Sequence, residues 1–338
     1  MDTRPLGRTG VHVSPLCLGA MMFGPWGRTD EAESIRIIHR ALDAGITFVD
    51  TADVYSGGVS EEITGKALKG RRDDVFLATK FFMPMDENPL HRGGSRRWIM
   101  QAVENSLRRL GTDWIDLYQV HRPDPAVDIE ETLGALTDLV HQGKIRYLGS
   151  SSFPGSQIVE AQWTARERGL QRFVTEQPPY SLMVRGIEQD VLPTTLRHGM
   201  GTLVYSPLGG GWLSGKWRKD SPSAPVAATR PPARFDMTSP ANQRKLDVVE
   251  DLALLAEEHG MSLVEMAIAF VLTHPGVTSA IVGPRTMEHL ESYLPAADLR
   301  LSAEVLDRID AIVAPGVTIN PDDNSYGDHE LRPERRRR

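Results

Sequence analysis

Asp50, Tyr55, Lys80 and His121 are the side chains whose types and spacing could do chemistry in this chain. The first two lie in Gly45-Ile-Thr-Phe-Val-Asp-Thr-Ala-Asp-Val-Tyr55, where a short apolar run after a glycine is long enough for a buried strand and too short for a helix. The run stops at an acid, which puts Asp50 at a strand end and Tyr55 on the loop that leaves it. A phenol is a poor acid near neutral pH, since its ordinary pKa is about 10. It becomes useful with a cation beside it and a carboxylate to hold that cation. Lys80 and Asp50 fit those roles: the ammonium stabilises the phenolate and lowers the phenol's pKa, and the carboxylate reduces the cost of burying the ammonium. His121 could hydrogen-bond a carbonyl oxygen. The four together suit proton donation to a carbonyl that is receiving a hydride, a transfer worth about 10²–10⁴-fold in rate. A lone lysine or histidine at a strand end is more often a solvated loop residue. Their ordered recurrence on three successive strands outweighs that.

The elements that must position these groups alternate between strand and helix. Residues 4–18 read as a small hairpin followed by a buried strand, and apolar positions at helical spacing over 30–44 predict a helix stopped by Gly45. Strand 46–50 precedes helix 60–68, strand 75–79 ends at Lys80, and helix 96–110 leads into strand 114–120, which ends at His121. Helix and strand then pair as 129–142 with 145–150, 156–168 with 173–177, 187–198 with 202–206, and 262–273 with 278–282. Residues 286–294 and 302–313 are helical. Eight strands in about 300 residues predict an α/β chain folded as a (β/α)8 TIM barrel with an N-terminal β-hairpin and extra C-terminal helices. No Gly-x-Gly-x-x-Gly opens a first strand-helix unit, which speaks against a doubly wound sheet. In such a barrel the side chains at the C-terminal ends of strands share one pocket.

Composition sets the other bounds. The 338 residues are 40% hydrophobic and 25% charged, with a formal net charge of −7, an ordinary soluble surface that suggests neither nucleic acid nor a membrane as partner. The single cysteine, Cys17, excludes an internal disulfide and reads as a buried small residue. No secretory leader and no apolar run approaching about 18 residues is visible, so the expected location is cytoplasmic. Residues 209–240, rich in glycine and proline, read as a long loop at the barrel mouth followed by helix 242–259. The barrel is expected over 1–318. Residues 319–338, ending Arg-Pro-Glu-Arg-Arg-Arg-Arg, are expected to be a polar, disordered tail. Arg234 in the long loop is left out of the site.

Asp50-Thr-Ala-Asp-Val-Tyr55, Thr79-Lys80, Gln119-Val-His121, Gly149-Ser-Ser151, Glu176-Gln177, Tyr205-Ser-Pro-Leu208 with Gly211-Trp-Leu-Ser-Gly-Lys216, and Ile281-Val-Gly283-Pro-Arg285 together resemble the aldo-keto reductases. The resemblance runs in order from about Arg4 to Val313 and is nearest the bacterial branch that also resembles potassium-channel beta subunits. It implies carbonyl reduction by NADPH, with Tyr55 as general acid, Lys80 as its pKa-lowering neighbour, Asp50 supporting the lysine and His121 orienting the carbonyl. It also implies that Ser151 and Gln177 bond the nicotinamide carboxamide, that Tyr205 stacks on the ring, and that Ser206, Leu208, Gly210 and Lys216 lie along the pyrophosphate. Arg285 falls at the 2′-phosphate, a position favouring NADPH over NADH; Gly283 is also implied to be cofactor-binding, and His289 falls at the adenine end. At that end the family often carries Gln and then Glu-Asn, where this chain has His289, Ser292 and Tyr293. Ala20 stands where a threonine is usual.

Met22, Phe23, Trp26, Phe81, Phe82, Trp212 and Trp217 follow strand ends and suggest an apolar rim suited to an aryl or medium-sized carbonyl compound, with a sugar-like ketone as the other candidate; some of these rings are expected instead to pack their loops onto the barrel. Two alternatives of a different class stay open: a cofactor-binding sensor subunit, against which the full Asp-Tyr-Lys-His set speaks, and a metal-dependent hydrolase or isomerase, for which no ligand spacing is visible.

Overall fold

A computed structural model describes residues 1–220, 232–326 and 333–337. Among these residues ten strands run in chain order: β1 (Arg4–Pro5), β2 (His12–Val13), β3 (Leu16–Gly19), β4 (Phe48–Asp50), β5 (Phe76–Phe81), β6 (Ile115–Val120), β7 (Ile145–Ser151), β8 (Phe173–Gln177), β9 (Gly201–Val204) and β10 (Ser279–Val282). β1 and β2 form the antiparallel hairpin, and the other eight close in parallel, β10 pairing with both β3 and β9. The helices are α1 (Glu31–Asp43), α2 (Val59–Leu68), α3 (Arg96–Leu110), α4 (Ile129–His141), α5 (Gly155–Arg168), α6 (Val191–His198), α7 (Pro240–Glu258), α8 (Leu263–Thr273), α9 (Met287–Tyr293), α10 (Ala303–Ile312) and the short α11 (Pro333–Arg336). The chain is a (β/α)8 barrel with an N-terminal hairpin and additional helices.

Strand alternation explains what fills the barrel. Cys17, Phe48, Ala78, Leu117, Leu203 and Ile281 form one inner apolar layer, and Leu6 and Val13 of the hairpin belong to the same cluster, closing its floor. The neighbouring strand positions, such as Leu16, Leu18, Val49, Leu77 and Tyr118, pack outward in the larger cluster that includes the helices. Two residues beyond the inner layer, at a period of two, stand Asp50, Lys80 and Gln119. The hydrophobic layer is thus a platform on which the polar groups rest.

Three local outcomes differ from the sequence expectations. The helix expected over 187–198 begins at Val191, with 186–188 a separate 3₁₀ turn. Pro193 has no N–H to continue an upstream helix, and Asp190 instead accepts the Gly155 N–H at 2.8 Å. The second concerns residues 319–326, assigned to a disordered tail, which pack as a strap on the barrel. Ile319, Asn320 and Asp323 are buried. Asp323 accepts from Lys245 at 2.6 Å and Arg234 at 2.9 Å, Asn320 donates to Asn242 at 3.1 Å, and Arg122 donates to the Ser325 carbonyl at 2.7 Å. Asp323 meets the buried Lys245 and the half-buried Arg234, which composition alone does not reveal. Of the Arg-rich end, 333–336 form a helical turn, and residues 327–332 and 338 lie outside the described residues. The third is the aromatic rim, where the loop-packing alternative holds for four of the rings. Phe23, Phe81, Trp212 and Trp217 are buried, the last two stacking at 4.0 Å between centroids and both against Phe235. Trp26 and Phe82 keep exposed surface.

Candidate active site

Lys80 is wholly buried on β5, and three oxygens surround its ammonium: Asp50 Oδ1 at 2.5 Å, the Thr51 carbonyl at 2.8 Å and the Tyr55 hydroxyl at 3.2 Å. It can stay charged there because that shell replaces water. Burial alone pulls its pKa down. The Asp50 charge, Tyr55 and the bonds to both outweigh that, so the ammonium is held above its usual range. Asp50 receives two further donors at Oδ2, Gln119 at 2.9 Å and Gln177 at 3.0 Å, and Gln177 also donates to Gln119 Oε1 at 3.0 Å. Two carboxylate oxygens therefore take three side-chain donors.

Tyr55 opens the turn Tyr55–Gly58, half-buried beside Trp26 (centroids 6.1 Å apart) and His121 (5.9 Å, edge to face). The phenol's pKa is raised, whereas the sequence argument expected it lowered. Burial is the largest influence and disfavours the phenolate; Lys80 pulls the other way as expected, but does not prevail. His121, just past β6, is pushed well below the usual imidazole range by burial and by Lys80 and Arg122, so it is neutral at pH 7.

The other expected positions line the same face. Ser151 and Gln177 end β7 and β8, where Ser151 Oγ donates to the Gln177 carbonyl at 2.9 Å. Gln177 Nε2 is used internally, and its Oε1 has no hydrogen-bond donor among the described residues. Tyr205, half-buried, has its hydroxyl 3.2 Å from Ser152 Oγ. Ser206 and Gly209–Gly211 all hold positive φ, a run of left-handed backbone with Leu208 between them. Lys216 is exposed, Gly283 is open at the end of β10, and Arg285 and His289 flank the start of α9, where Lys216 and Arg285 both lower the His289 pKa behind the larger effect of burial. Among the described residues, the non-glycine positions with left-handed φ are Ser56 (52°), Phe82 (128°), Ser152 (58°) and Ser206 (56°). Each follows a strand on the C-terminal face. Such backbone costs about 1–3 kcal/mol per residue and concentrates where a site over-determines it.

Gln119 is the site residue that the sequence argument passed over as a contact. Its position two residues from both Leu117 and His121 was a usable signal, because that spacing points all three into the barrel.

A phenol, an ammonium, a carboxylate and a neutral imidazole at the C-terminal mouth of a closed eight-stranded barrel are the setting of an oxidoreductase site. The aldo/keto reductase family model matches residues 15–314, and the chain belongs to that family, whose members use a nicotinamide cofactor. It is 40% identical over 324 residues to a Bacillus subtilis protein named uncharacterized oxidoreductase YrpG, covering 92% of this chain and 96% of that one. It is 38% identical to the Bacillus subtilis aldo-keto reductase YhdN over 93% of this chain and 94% of that one. A probable voltage-gated potassium channel subunit beta of Oryza sativa subsp. japonica is 34% identical, with coverage of 93% and 97%.

Proposed function

We propose that the chain is an NADPH-dependent reductase of an aldehyde or ketone, with Tyr55 giving the proton. The observation that carries this reading is Lys80 Nζ bonded to both Asp50 Oδ1 at 2.5 Å and the Tyr55 hydroxyl at 3.2 Å. The residues present suit the cofactor. Left-handed backbone at Ser206 and Gly209–Gly211 makes a tight turn of the kind that can cradle an anion, although the Gly209 and Gly211 N–H groups themselves donate to the Ser206 and Leu208 carbonyls. Lys216 and Arg285 have no carboxylate partner among the described residues, and a guanidinium matches a phosphate. Gln177 Oε1 and the lone pairs of Ser151 Oγ, whose hydrogen goes to the Gln177 carbonyl, can accept from a carboxamide N–H, and Tyr205 offers a flat ring. When bound, a reduced nicotinamide supplies the hydride.

The chain's own groups supply the rest. Tyr55 is fully protonated at neutral pH, so a proton is in place at its hydroxyl. His121, as a neutral imidazole, carries one N–H for the carbonyl oxygen and adds no charge beside Lys80. As the proton leaves Tyr55, the ammonium 3.2 Å away meets the phenolate, at the point where negative charge develops. Asp50 keeps that ammonium fixed, and Gln119 and Gln177 keep Asp50 fixed. Trp26 and Phe82, beside Tyr55 and after Lys80, favour an aryl or medium-sized carbonyl compound. The expected location remains cytoplasmic, and the domain reading is a single reductase barrel.

The test is a fluorescence titration with NADPH and separately NADH, then addition of 4-nitrobenzaldehyde to the NADPH complex. Tight NADPH binding followed by its oxidation supports the reading. Binding with no turnover of aldehydes or keto-sugars would instead favour a cofactor-sensing subunit.

A further inference from the structure

Arg28 lies at the far end of the loop after β3, and its own backbone fixes it there. Its N–H donates to the Met22 carbonyl and its carbonyl accepts the Gly24 N–H, both at 2.8 Å. A Cβ on Gly27 would stand 2.4 Å from the Met22 carbonyl oxygen, so this closure needs glycine before the arginine. The same loop is tied at Trp26, whose N–H donates to Ser56 Oγ at 3.1 Å. From this platform the Arg28 side chain crosses to β10's end of the barrel, and its Nε donates to the Arg285 carbonyl at 2.6 Å, a contact 257 residues apart in sequence.

A guanidinium has five N–H donors, and this bond uses one. The Nη groups of Arg28 make no hydrogen bond or ion pair among the described residues, and neither does the Arg285 side chain. The half-buried Arg28 guanidinium is thus fixed on the backbone of Arg285, whose own side chain is also half-buried, and neither side chain has a carboxylate partner among the described residues. Two cations anchored at one stretch of chain, each without a carboxylate partner, suit a doubly charged anion with several acceptor oxygens.

We infer that Arg28 is a second guanidinium for the 2′-phosphate of NADPH, presented by the loop after β3 and held beside Arg285 by the bond to its carbonyl. This rests on the cofactor reading above and adds a specificity-determining residue to it. A pyrophosphate carries less charge per phosphorus and has the Ser206 and Gly209–Gly211 backbone with Lys216. The phosphate monoester is the group that gains most from a second forked donor.

Binding by the full chain is measured by fluorescence for NADPH and NADH, with 2′,5′-ADP and 5′-AMP as competing fragments. Arg28→Ala is expected to weaken NADPH and 2′,5′-ADP about tenfold, while NADH and 5′-AMP change by less than about twofold. Arg28→Gln, which keeps a donor and most of the side-chain length, is run beside it, with circular dichroism confirming the fold. A double-mutant cycle with Arg285→Ala should show less than additive losses, since both arginines serve one phosphate. Variants that bind NADPH as the parent does, or that lose NADPH and NADH equally with the fold intact, overturn the assignment of Arg28. A parent chain that binds both nucleotides alike overturns the cofactor reading itself.

Discussion

The side-chain amide of Gln119 donates to Asp50 Oδ2 at 2.9 Å, joining residues 69 positions apart on β6 and β4. Lys80 holds the other oxygen of the same carboxylate, so Asp50 cannot rotate without breaking a bond on either side. The orientation of the lysine is in this way set from behind. Gln119→Leu should lower stability by about 1–3 kcal/mol, the cost of leaving buried partners unmet, and should reduce kcat with little change in the KM for NADPH. Urea unfolding and steady-state kinetics check this; a destabilised variant with parental kcat would leave Gln119 a purely structural residue.

Tyr55→Phe removes the proton and keeps the ring against Trp26 and His121. Turnover of 4-nitrobenzaldehyde should fall about 10²–10⁴-fold, with NADPH binding nearly intact by titration. Loss of binding together with activity would instead make the tyrosine structural.

Lys80→Met strips the phenolate of its counter-charge and leaves Asp50 with only its two amide donors. Activity should fall at least as far as in Tyr55→Phe. Substantial turnover in single-cycle assays would argue against the four-residue arrangement.

Arg285→Ala should raise the KM for NADPH far more than that for NADH, because only the former carries the phosphate that a guanidinium matches. Equal effects in parallel assays with the two nucleotides would sink the 2′-phosphate assignment.

Glu176 is buried at the end of β8, where its carboxylate accepts from Ser150 at 2.5 Å and the Phe153 N–H at 3.0 Å. Burial outweighs these bonds and pushes its pKa up to about 8. The folded chain therefore keeps a proton there that the unfolded chain releases near the ordinary value of about 4.3. Stability from this group is fully present below that lower value and is lost as pH rises to about 8, by up to about 1.4 kcal/mol per unit. Glu176→Gln mimics the protonated form, so its stability relative to the parent should climb between pH 5 and pH 8. Denaturant midpoints at several pH values test this, and a difference that does not vary with pH would refute it.

Asp323→Ala removes the carboxylate shared by Lys245 and Arg234. With Lys245 fully buried, the loss of that charge should cost about 3 kcal/mol, read as a lower thermal midpoint. Asp323→Glu should recover part of it. No shift in either variant would mean that the strap adds nothing to stability.

The barrel and the meeting of Asp50, Tyr55, Lys80 and His121 at its mouth were legible because both depend on short-range pattern. Apolar runs of strand length ended at Asp50, Lys80 and His121, and the alternation of strands with helices determined that those ends would meet. Other features depend on contacts that the pattern does not encode. An amide such as Gln119 gives no charge signal, and its partner Asp50 is found only once β4, β5 and β6 lie side by side. The direction of the Tyr55 pKa followed from how deeply the ring is enclosed, which residue types do not state. Trp212 and Trp217 looked like rim residues because Phe235, the ring that completes their stack, lies well beyond them in the sequence. The packed segment 319–326 read as tail because its acids and amides are common in tails. Their partners Lys245, Asn242 and Arg122 lie far back in the chain.

The strap of residues 319–326 has a consequence for how the chain comes off the ribosome. All eight barrel strands precede it, so the barrel can close while these residues are still being added. The link it makes between α7, through Lys245 and Asn242, and the loop after β6, through Arg122, is available only afterwards. A nascent chain stalled before Asn320 would hold Asp50, Tyr55, Lys80 and His121 in a formed barrel without the tie that joins those two elements across its mouth.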